Sequence, residues 1–326
     1  MRLCTILFAV FLALSFSGFA QKKYTIVIHG GAGVLSKDKM NEALCNEYKA
    51  KLNEALELGS RMLEDGASAT DVVVKVINIM EDSPLFNAGK GAVFSHDKIN
   101  ELDASIMEGK ILNAGAVAGV RDIKNPINAA RAVMEHSEHV MLSGTGASEF
   151  AKEQGLEMVP NKYFYTEKRY QSLQQLLKKE RERTNKDNIG TVGCVVLDSY
   201  GNLCAGTSTG GMTNKRYGRI GDSPIIGAGT YANNKTCAVS CTGHGEFYIR
   251  LGFARDISAI MEYKNRSLTD ACREEISKLS NMGGTGGVIG VDQQGNVAME
   301  FNTSGMFRGY IKSTGEKEIA IFRDKQ

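Results

Sequence analysis

The chain has 326 residues, of which 42 % are hydrophobic and 23 % charged, the balance of a globular protein with a sizeable core. Its formal net charge is only +2 and no basic tract stands alone, which argues against a nucleic-acid-binding protein. The 36 Gly against 4 Pro predict many tight turns and argue against a Pro-rich linker or a disordered arm.

The first twenty residues have the composition of a secretory signal peptide. Arg2 supplies the positive charge, an apolar stretch covers residues 6–16, and small residues stand one and three positions before Gln21. The apolar stretch is shorter than the roughly 20 residues that span a bilayer, which argues against a membrane anchor. We therefore expect residues 1–20 to be removed. The mature protein, 21–326, is expected to be secreted, into the periplasm if the source is a Gram-negative bacterium.

Cysteine usage bears on metal binding and on disulfides. Six cysteines remain once Cys4 is removed: Cys45, Cys194, Cys204, Cys237, Cys241 and Cys272. No Cys or Cys/His group has the spacing of a zinc site, so we expect no metal-ligating side chains. Cys194 and Cys204 flank a turn at 199–202 and could face each other across a hairpin in an oxidising compartment. Buried free thiols are the favoured interpretation, because a domain of this size needs no disulfide.

Residues 24–188 show a mixed pattern of strands and helices. Strands are predicted at 24–29 (leading into a Gly-rich turn at 29–33), 92–94, 102–107 and 114–120. Helices are predicted at 41–64, 70–81 (with Thr70 as its cap), 125–136, 148–154 and 167–179. The polar stretch 178–188 has no apolar anchor, which predicts an exposed, mobile segment.

The remainder of the chain is richer in strands. The predicted strands are 191–197, 203–209, 225–230, 238–242, 288–291, 297–301 and 306–311. Two amphipathic helices are predicted between them, at 247–263 and 268–279. Strands followed by two helices and then by further strands predict helices that cover the faces of two stacked sheets.

One motif points to a serine esterase. Residues 206–210 match the G-x-S-x-G turn that carries the nucleophile of α/β-hydrolases, with Ser208 as the serine, and Asp222 and His244 follow in the expected order. That turn needs a helix directly after it, whereas further glycines follow here. The short distance from Ser208 to His244 also leaves little room for the intervening strands and helices. The esterase is therefore kept as the alternative from a different functional class.

A more specific arrangement stands at Gly190-Thr191, where the polar segment enters a predicted buried strand. A hydroxyl beside its own preceding peptide bond can attack that carbonyl, and water can then cleave the resulting ester. The freed Thr191 would carry both a hydroxyl nucleophile and an α-amine, whose unperturbed pKa of roughly 7.7–8.0 suits a base near neutral pH. Gly190 lacks a Cβ and tolerates the close approach. From spacing alone, an ordinary strand-initial threonine remains the other interpretation.

Seven motifs follow one another over nearly all of residues 24–311. They are HGGAG at 29–33, PLFNAG at 84–89, ELDA at 101–104, GTVG at 190–193, STGG at 208–211, GRIGDSP at 218–224 and TGHGE at 242–246. In this order and spacing, the chain resembles the plant-type asparaginase and isoaspartyl-peptidase family of N-terminal-nucleophile hydrolases. The resemblance implies an α+β fold, a four-layer αββα sandwich. It also implies self-cleavage into an α subunit, 21–190, and a β subunit, 191–326, which stay together and form a dimer of heterodimers.

The resemblance implies the catalytic roles as well. Thr191 would be the nucleophile, and Thr209 a nearby hydroxyl that orients it and assists cleavage. The Thr242 hydroxyl and the Gly243 N–H would form the oxyanion hole, a pair of fixed donors where negative charge develops. The implied reaction is hydrolysis of the β-amide of L-asparagine and of β-aspartyl dipeptides, with release of L-aspartate.

Substrate binding would fall to a further set of side chains. Arg219 and Asp222 would hold the substrate's α-carboxylate and α-ammonium, beside Thr242 and Gly243, and Asn87 would lie close to the nucleophile. An ordinary turn in which Asp222 pairs with Arg219 is the structural alternative. By resemblance, a structural sodium ion would lie in the loop at 80–90, and no other cofactor is implied. The expected partners are the small-molecule substrate and the two subunits, with no nucleic acid and no membrane.

Exported glycosylasparaginases are the rival within this family. They resemble the chain around the cleavage site but use a Trp-containing amino-terminal stretch for the glycan-bearing substrate, and this chain has no Trp. A non-catalytic binding module is the alternative from another class. It would have no reason to combine a nucleophile, a substrate-binding Arg219–Asp222 pair and the oxyanion-hole residues. Preference between asparagine and β-aspartyl dipeptides stays open, because both substrates present the same α-carboxylate and α-ammonium and differ only in the leaving group.

Overall fold

The structure is a computed structural model that describes residues 23–33, 40–181 and 190–323. The predicted signal peptide lies outside the described residues, as does most of the predicted mobile segment at 178–188. Residues 178–181 belong to a helix instead. Within the described ranges, no helix combines the length and the apolarity needed to cross a bilayer.

The strands of the described part form a larger and a smaller sheet. They are β1 (Thr25–Gly33), β2 (Leu102–Glu108), β3 (Ala114–Val120), β4 (Met141–Ser143), β5 (Val192–Leu197), β6 (Leu203–Thr209), β7 (Thr230–Ala232), β8 (Cys237–Gly243), β9 (Gly286–Asp292), β10 (Val297–Phe301), β11 (Gly305–Lys312) and β12 (Lys317–Phe322). The larger sheet has the order β12-β11-β1-β5-β6-β2-β3-β4, and the smaller has the order β10-β9-β8-β7. Neighbouring strands are antiparallel except for the parallel pair β3–β4.

Helices cover the outer faces of both sheets. They are α1 (Glu42–Glu64), α2 (Ala69–Glu81), α3 (Pro126–His136), α4 (Gly144–Glu153), α5 (Glu167–Arg181), α6 (Gly245–Leu251), α7 (Phe253–Lys264) and α8 (Leu268–Asn281). The first three pack on the larger sheet, α7 and α8 pack on the smaller sheet, and the two sheets pack on each other through β1, β5 and β6 against β8 and β9. The predicted α+β sandwich with four αββα layers is thereby confirmed.

The central strands of the larger sheet are buried on both faces. One face packs against the helices and the other against the smaller sheet, and the candidate site lies on the second face. In β1, Ile26 and Ile28 join the core beneath the helices, whereas Val27 joins the core between the sheets. Strand β5 repeats this alternation, with Val196 toward the helices and Val195 toward the second sheet. Because side chains alternate along a strand, every second residue of β1, β5 and β6 faces the interior between the two sheets.

Several predicted elements differ in the structure. Helix α2 is capped by Ser68, whose Oγ accepts the N–H of Asp71 at 3.2 Å, so the predicted cap at Thr70 was wrong. The single helix predicted at 247–263 is broken at Gly252, which adopts a left-handed φ of 59°. Such a backbone conformation is open to glycine and ends the helical hydrogen-bond pattern.

The predicted strands at 92–94 and 225–230 do not form. The first follows a 3₁₀ turn at Gly89–Gly91 and makes a single bridge at Phe94. The second is a series of turns that begins where the N–H of Ile225 donates to the carbonyl of Asp222 at 2.9 Å. The short edge strands β4 and β12 escaped the sequence analysis.

The hairpin predicted at residues 191–209 is formed by β5 and β6. In its register Cys194 lies opposite Gly206, and Cys204 lies opposite Val196. The two cysteines are therefore diagonal neighbours, and both are buried free thiols. Burial raises the pKa of each thiol, so both are in the protonated form at neutral pH.

Candidate active site

Thr191 directly precedes β5, a central strand of the larger sheet that packs against the smaller sheet. Val192 pairs with Ser208, so Thr191 lies beside Thr209, the last residue of β6. Residues 191 and 209 occupy the face toward the smaller sheet, and β8 ends there with Thr242 and Gly243. Thr191, Thr209 and Gly243, which are far apart in the sequence, thus line one small cavity at this end of the sandwich.

The Gly190–Thr191 peptide bond is surrounded by hydroxyl groups. Oγ1 of Thr191 lies 2.8 Å from the carbonyl oxygen of Gly190 and 3.1 Å from Oγ1 of Thr209. Oγ1 of Thr209 lies 3.1 Å from the same carbonyl oxygen, and it accepts the N–H of Gly211 at 3.0 Å. Thr191 is only 4 % exposed, so its hydroxyl is held against its own preceding peptide bond with little access to bulk water.

Asn87 contributes a third donor to this carbonyl. Its Nδ2 donates to the Gly190 carbonyl oxygen at 2.7 Å and to the Gly211 carbonyl oxygen at 2.7 Å, while its Oδ1 accepts the N–H of Val93 at 2.9 Å. The side-chain amide is thus fixed between two loops. Donors aimed at a carbonyl oxygen stabilise the negative charge that develops there during attack. Asn87 is therefore placed to activate the Gly190 carbonyl.

A glycine on β1 lets the backbone approach this junction. Gly31 has a left-handed φ of +110°, and a Cβ there would lie 3.1 Å from Cα of Gly190 and 3.2 Å from N of Thr191. A side chain at this position would therefore strain the backbone and press on the scissile bond. Next to it, the N–H of Ala32 lies 3.4 Å from Oγ1 of the fully buried Thr242.

The Arg219 guanidinium is held by Glu246, not by Asp222. Nε of Arg219 donates to Oε1 of Glu246 at 2.7 Å, and Nη2 donates to Oε2 at 2.8 Å. The structural alternative, an Arg219–Asp222 pair that closes a simple turn, is thus not what the structure contains. A two-bond fork of this kind fixes the plane of the guanidinium as well as its position.

Asp222 is a buried carboxylate with unused acceptor capacity. It is 4 % exposed, and its Oδ2 has no hydrogen-bond partner in the described part of the chain. Burial raises the pKa of Asp222 to about 7, and the charge of Arg219 opposes that rise. A cavity of about 10 Å³, room for one water, is lined by Thr191, Thr209, Arg219, Asp222 and Gly243. A buried carboxylate of this kind is suited to an ammonium group.

Comparison with known proteins gives this geometry its context. A family model described as asparaginase matches residues 22–321. The chain belongs to the asparaginase family. It is 49 % identical to the isoaspartyl peptidase of Escherichia coli K12, over 93 % of this chain and 97 % of that protein. It is 42 % identical to a probable isoaspartyl peptidase/L-asparaginase of Arabidopsis thaliana over 92 % and 99 %, and 39 % identical to the isoaspartyl peptidase/L-asparaginase of Bos taurus over 86 % and 91 %. The family resemblance drawn from the seven motifs is confirmed.

Two residues of this asparaginase-family site escaped the sequence analysis. Glu246, in the first turn of α6, orients Arg219 as described, and this ion pair holds the pKa of Glu246 below its usual range. His29 binds the backbone of the nucleophile: its Nδ1 lies 3.1 Å from the Thr191 carbonyl oxygen and its Nε2 lies 3.0 Å from Oγ of Ser240. Burial lowers the pKa of His29 to about 3, so the ring is neutral. His29 belongs to the HGGAG motif and Glu246 to the TGHGE motif, and this membership was the signal that could have identified them.

Ser208 is not the nucleophile of an esterase triad. It lies on the face of β6 opposite to Thr209, is fully buried beneath the helices, and donates to Oε1 of Glu81 at 2.6 Å. The ring of His244 packs against Phe247 instead of meeting Ser208. The esterase interpretation was wrong because alternation along the strand turns position 208 away from the interior between the sheets.

Replacing Ser208 with alanine tests whether this residue has a catalytic role. Ser208→Ala is expected to leave self-cleavage and turnover in place and to lower the free energy of unfolding by about 1–3 kcal/mol, because buried Glu81 loses a hydroxyl donor. Gel analysis, a substrate assay and a denaturant titration would measure these effects. An inactive Ser208→Ala protein of unchanged stability, beside an active wild type that stays as one chain, would restore the esterase interpretation.

The loop after α2 bears on the sodium ion that the family resemblance implies. A Cβ at Gly91 would lie 1.9 Å from the carbonyl oxygen of Phe86 and 2.9 Å from that of Pro84, so both oxygens converge on this glycine. Hard cations prefer such oxygen ligands. These contacts place two carbonyl oxygens near each other beside Gly91, and a sodium ion in this loop remains a prediction from the family resemblance. No group of three His, Cys, Asp or Glu side chains that could hold a metal is found in the described ranges.

Proposed function

We propose that this chain is a self-activating threonine amidohydrolase that cleaves the β-amide of L-asparagine and of β-aspartyl dipeptides, releasing L-aspartate. The observation that carries the proposal is the 2.8 Å contact of the Thr191 hydroxyl with the Gly190 carbonyl oxygen, on which Asn87 also converges. The names of the relatives, isoaspartyl peptidase and L-asparaginase, support the substrate class.

Self-cleavage would begin with attack of Oγ1 of Thr191 on the carbonyl carbon of Gly190. The C–N bond breaks as the C–O ester bond forms, and the hydroxyl proton passes to the departing nitrogen, which becomes the α-amine of Thr191. Water then hydrolyses the ester, which leaves a carboxylate on Gly190 and restores the Thr191 hydroxyl. Asn87 and Thr209 would stabilise the negative charge on the carbonyl oxygen, to which both are already hydrogen-bonded.

Substrate hydrolysis would reuse the same hydroxyl. The freed α-amine takes the hydroxyl proton as Oγ1 attacks the β-carbonyl carbon, and the Thr242 hydroxyl and Gly243 N–H donate to the oxyanion. The departing amine receives the proton, and water hydrolyses the aspartyl ester to release L-aspartate. Arg219 and Asp222 would hold the α-carboxylate and the α-ammonium of the substrate throughout.

The two subunits are proposed to stay associated after cleavage. Strand β1 of the α subunit lies between β11 and β5 of the β subunit, and β2 pairs with β6. Cutting before Thr191 leaves these ladders and both cores intact. We further propose that two such heterodimers associate, a state that size-exclusion chromatography with light scattering would measure.

Turnover of a substrate panel by the purified, self-cleaved protein tests the proposed function. Hydrolysis of L-asparagine and of β-aspartyl dipeptides, followed by aspartate release, is the expected result. Turnover restricted to glycosylated asparagine would favour a glycosylasparaginase instead. Absence of turnover of all three substrates by a cleaved, folded protein would overturn the proposal.

The pH dependence of kcat/KM should report Asp222. Its carboxyl must be ionised to hold the α-ammonium, and its pKa is raised to about 7, so kcat/KM should increase as pH rises through 7. The Thr191 amine, with an ordinary pKa of roughly 7.7–8.0, must also lose its proton. Because two groups must lose a proton, a plot of log(kcat/KM) against pH should rise on its acidic side with a slope above one. In Asp222→Asn the slope should fall to one, and an unchanged slope would argue against this role of Asp222.

We also propose export, on the basis of the amino-terminal sequence. Protein isolated from its native host should begin at Gln21 and be found outside the cytoplasm. Amino-terminal sequencing of the protein from fractionated cells checks this. A protein that still begins at Met1 and remains in the cytoplasmic fraction would contradict it.

A further inference from the structure

A second and much larger cavity borders the small one at Asp222. Its volume is about 600 Å³, and Gly243, the predicted oxyanion donor, lines both cavities. The larger cavity is also lined by Asn87 and Gly190, the groups around the scissile bond. We call it the leaving-group cavity and define it by Leu44, Tyr48, Phe86, Lys168, Arg169 and Phe307. The oxyanion position is therefore the junction between a small polar cavity and a large one.

One wall of the leaving-group cavity is aromatic and already ordered. The ring of Tyr48 stacks on Phe307 with centroids 4.1 Å apart and meets Phe86 edge to face at 5.6 Å. The Tyr48 hydroxyl donates to the Leu85 carbonyl oxygen at 2.8 Å, so the polar end of the ring is already satisfied. The wall thus offers a rigid apolar surface, which binds an apolar side chain at a small cost in conformational entropy.

The leaving-group cavity is also lined by two adjacent cationic side chains of α5, Lys168 and Arg169. Nε of Arg169 donates to the Gly91 carbonyl oxygen at 2.8 Å, a neutral partner. Among the described residues, neither Lys168 nor Arg169 forms an ion pair with a carboxylate, and Glu47 acts on Lys168 only through its more distant charge. Burial lowers the pKa of both groups. Two adjacent like charges with no ion-pair partner among the described residues favour the binding of an anion.

We propose that the leaving-group cavity binds the amino-acid residue that is released from a β-aspartyl dipeptide. Its large apolar side chain would pack on Tyr48 and Phe307, and its free α-carboxylate would pair with Lys168 and Arg169. The inference rests on the proposed function: with the α-carboxylate of the aspartyl unit at Arg219, its α-ammonium at Asp222 and its β-carbonyl at Gly243, the leaving side extends into the larger cavity, which Gly243 also lines. L-asparagine releases only ammonia, which reaches none of this surface. The chain would therefore favour β-aspartyl dipeptides with a large apolar second residue.

Substrate variants test this without altering the protein. The efficiency kcat/KM covers all steps up to acylation, in which the leaving group departs, so it reports this cavity directly. We expect kcat/KM for β-aspartyl-phenylalanine to exceed that for β-aspartyl-glycine by roughly tenfold or more. Conversion of the terminal carboxylate of β-aspartyl-phenylalanine to its amide should lower kcat/KM by roughly three- to thirtyfold.

Protein variants assign the effects to the two walls. In Lys168→Gln the preference for the carboxylate over the amide should shrink, whereas the matched control Lys152→Gln, on α4, should keep it. In Leu44→Ala the ratio of the phenylalanine to the glycine dipeptide should fall, and in the control Leu112→Ala it should not. Equal efficiencies for all dipeptides, beside normal turnover of L-asparagine, would overturn the cavity's role and leave the proposed function standing. Absence of turnover of L-asparagine as well would overturn both.

Discussion

Thr191→Ala is expected to yield a single uncleaved chain with no measurable hydrolysis. The substitution removes the hydroxyl that lies 2.8 Å from the Gly190 carbonyl oxygen, so the peptide bond has no internal nucleophile. Without cleavage there is no free α-amine to act as base, and nucleophile and base are lost together. Loss of a catalytic nucleophile lowers kcat by a factor on the order of a million. Denaturing gel electrophoresis and an assay on L-asparagine would measure both effects.

Thr191→Ser is the matched control for this experiment. It keeps a hydroxyl at the same place and loses only a methyl group, so the protein should still divide into two chains and retain activity. Thermal melting of the alanine variant would show that it remains folded. Two chains from Thr191→Ala, or an intact and fully active variant, would contradict the role of this residue.

Arg219→Lys should lose most of the catalytic efficiency although the charge is kept. Arg219 already gives Nε and Nη2 to Glu246, and in the proposed site the rest of its planar group would hold the substrate carboxylate. A lysine ammonium cannot span both partners with this geometry. Truncation of one partner of such a pair costs on the order of 2–5 kcal/mol, which corresponds to a loss in kcat/KM of roughly thirty- to several-thousand-fold. Steady-state kinetics on L-asparagine and a β-aspartyl dipeptide would measure it.

Self-cleavage separates a binding defect from misfolding in that experiment. It involves no substrate, so Arg219→Lys and Asp222→Asn should both still cleave. Acetylation of the α-amine of the substrate should be similarly damaging in the wild type, because it removes the charge that Asp222 would meet. Near wild-type efficiency of Arg219→Lys, or equal turnover of the acetylated substrate, would remove these two residues from the site.

The sequence predicts best those elements that depend on residues close together along the chain. The β5–β6 hairpin was predictable because two short stretches of apolar and small residues flank a turn that contains Gly201, and α1 because apolar residues recur at helical spacing. The break at Gly252 was not, since a glycine within an apolar helical pattern fits both a continuous helix and two shorter ones. Only its backbone conformation, with φ at 59°, distinguishes the two.

Contacts between distant elements lay beyond the sequence patterns. Glu246 orients Arg219 from another element, and His29 reaches Ser240 across the gap between the sheets. No periodicity states which strands of two sheets face each other, so these partners could not be assigned. The motifs marked the residues of the site, whereas the sheet register explains why Thr209 joins Thr191 and why Ser208 does not.

The intact mass of the purified wild-type protein tests the central claim most directly. We expect two polypeptides formed without added protease, one ending at Gly190 and the other beginning at Thr191, with activity that appears as they form. A single mass for the chain from Gln21 to Gln326, in a preparation that is fully active on L-asparagine, would contradict it.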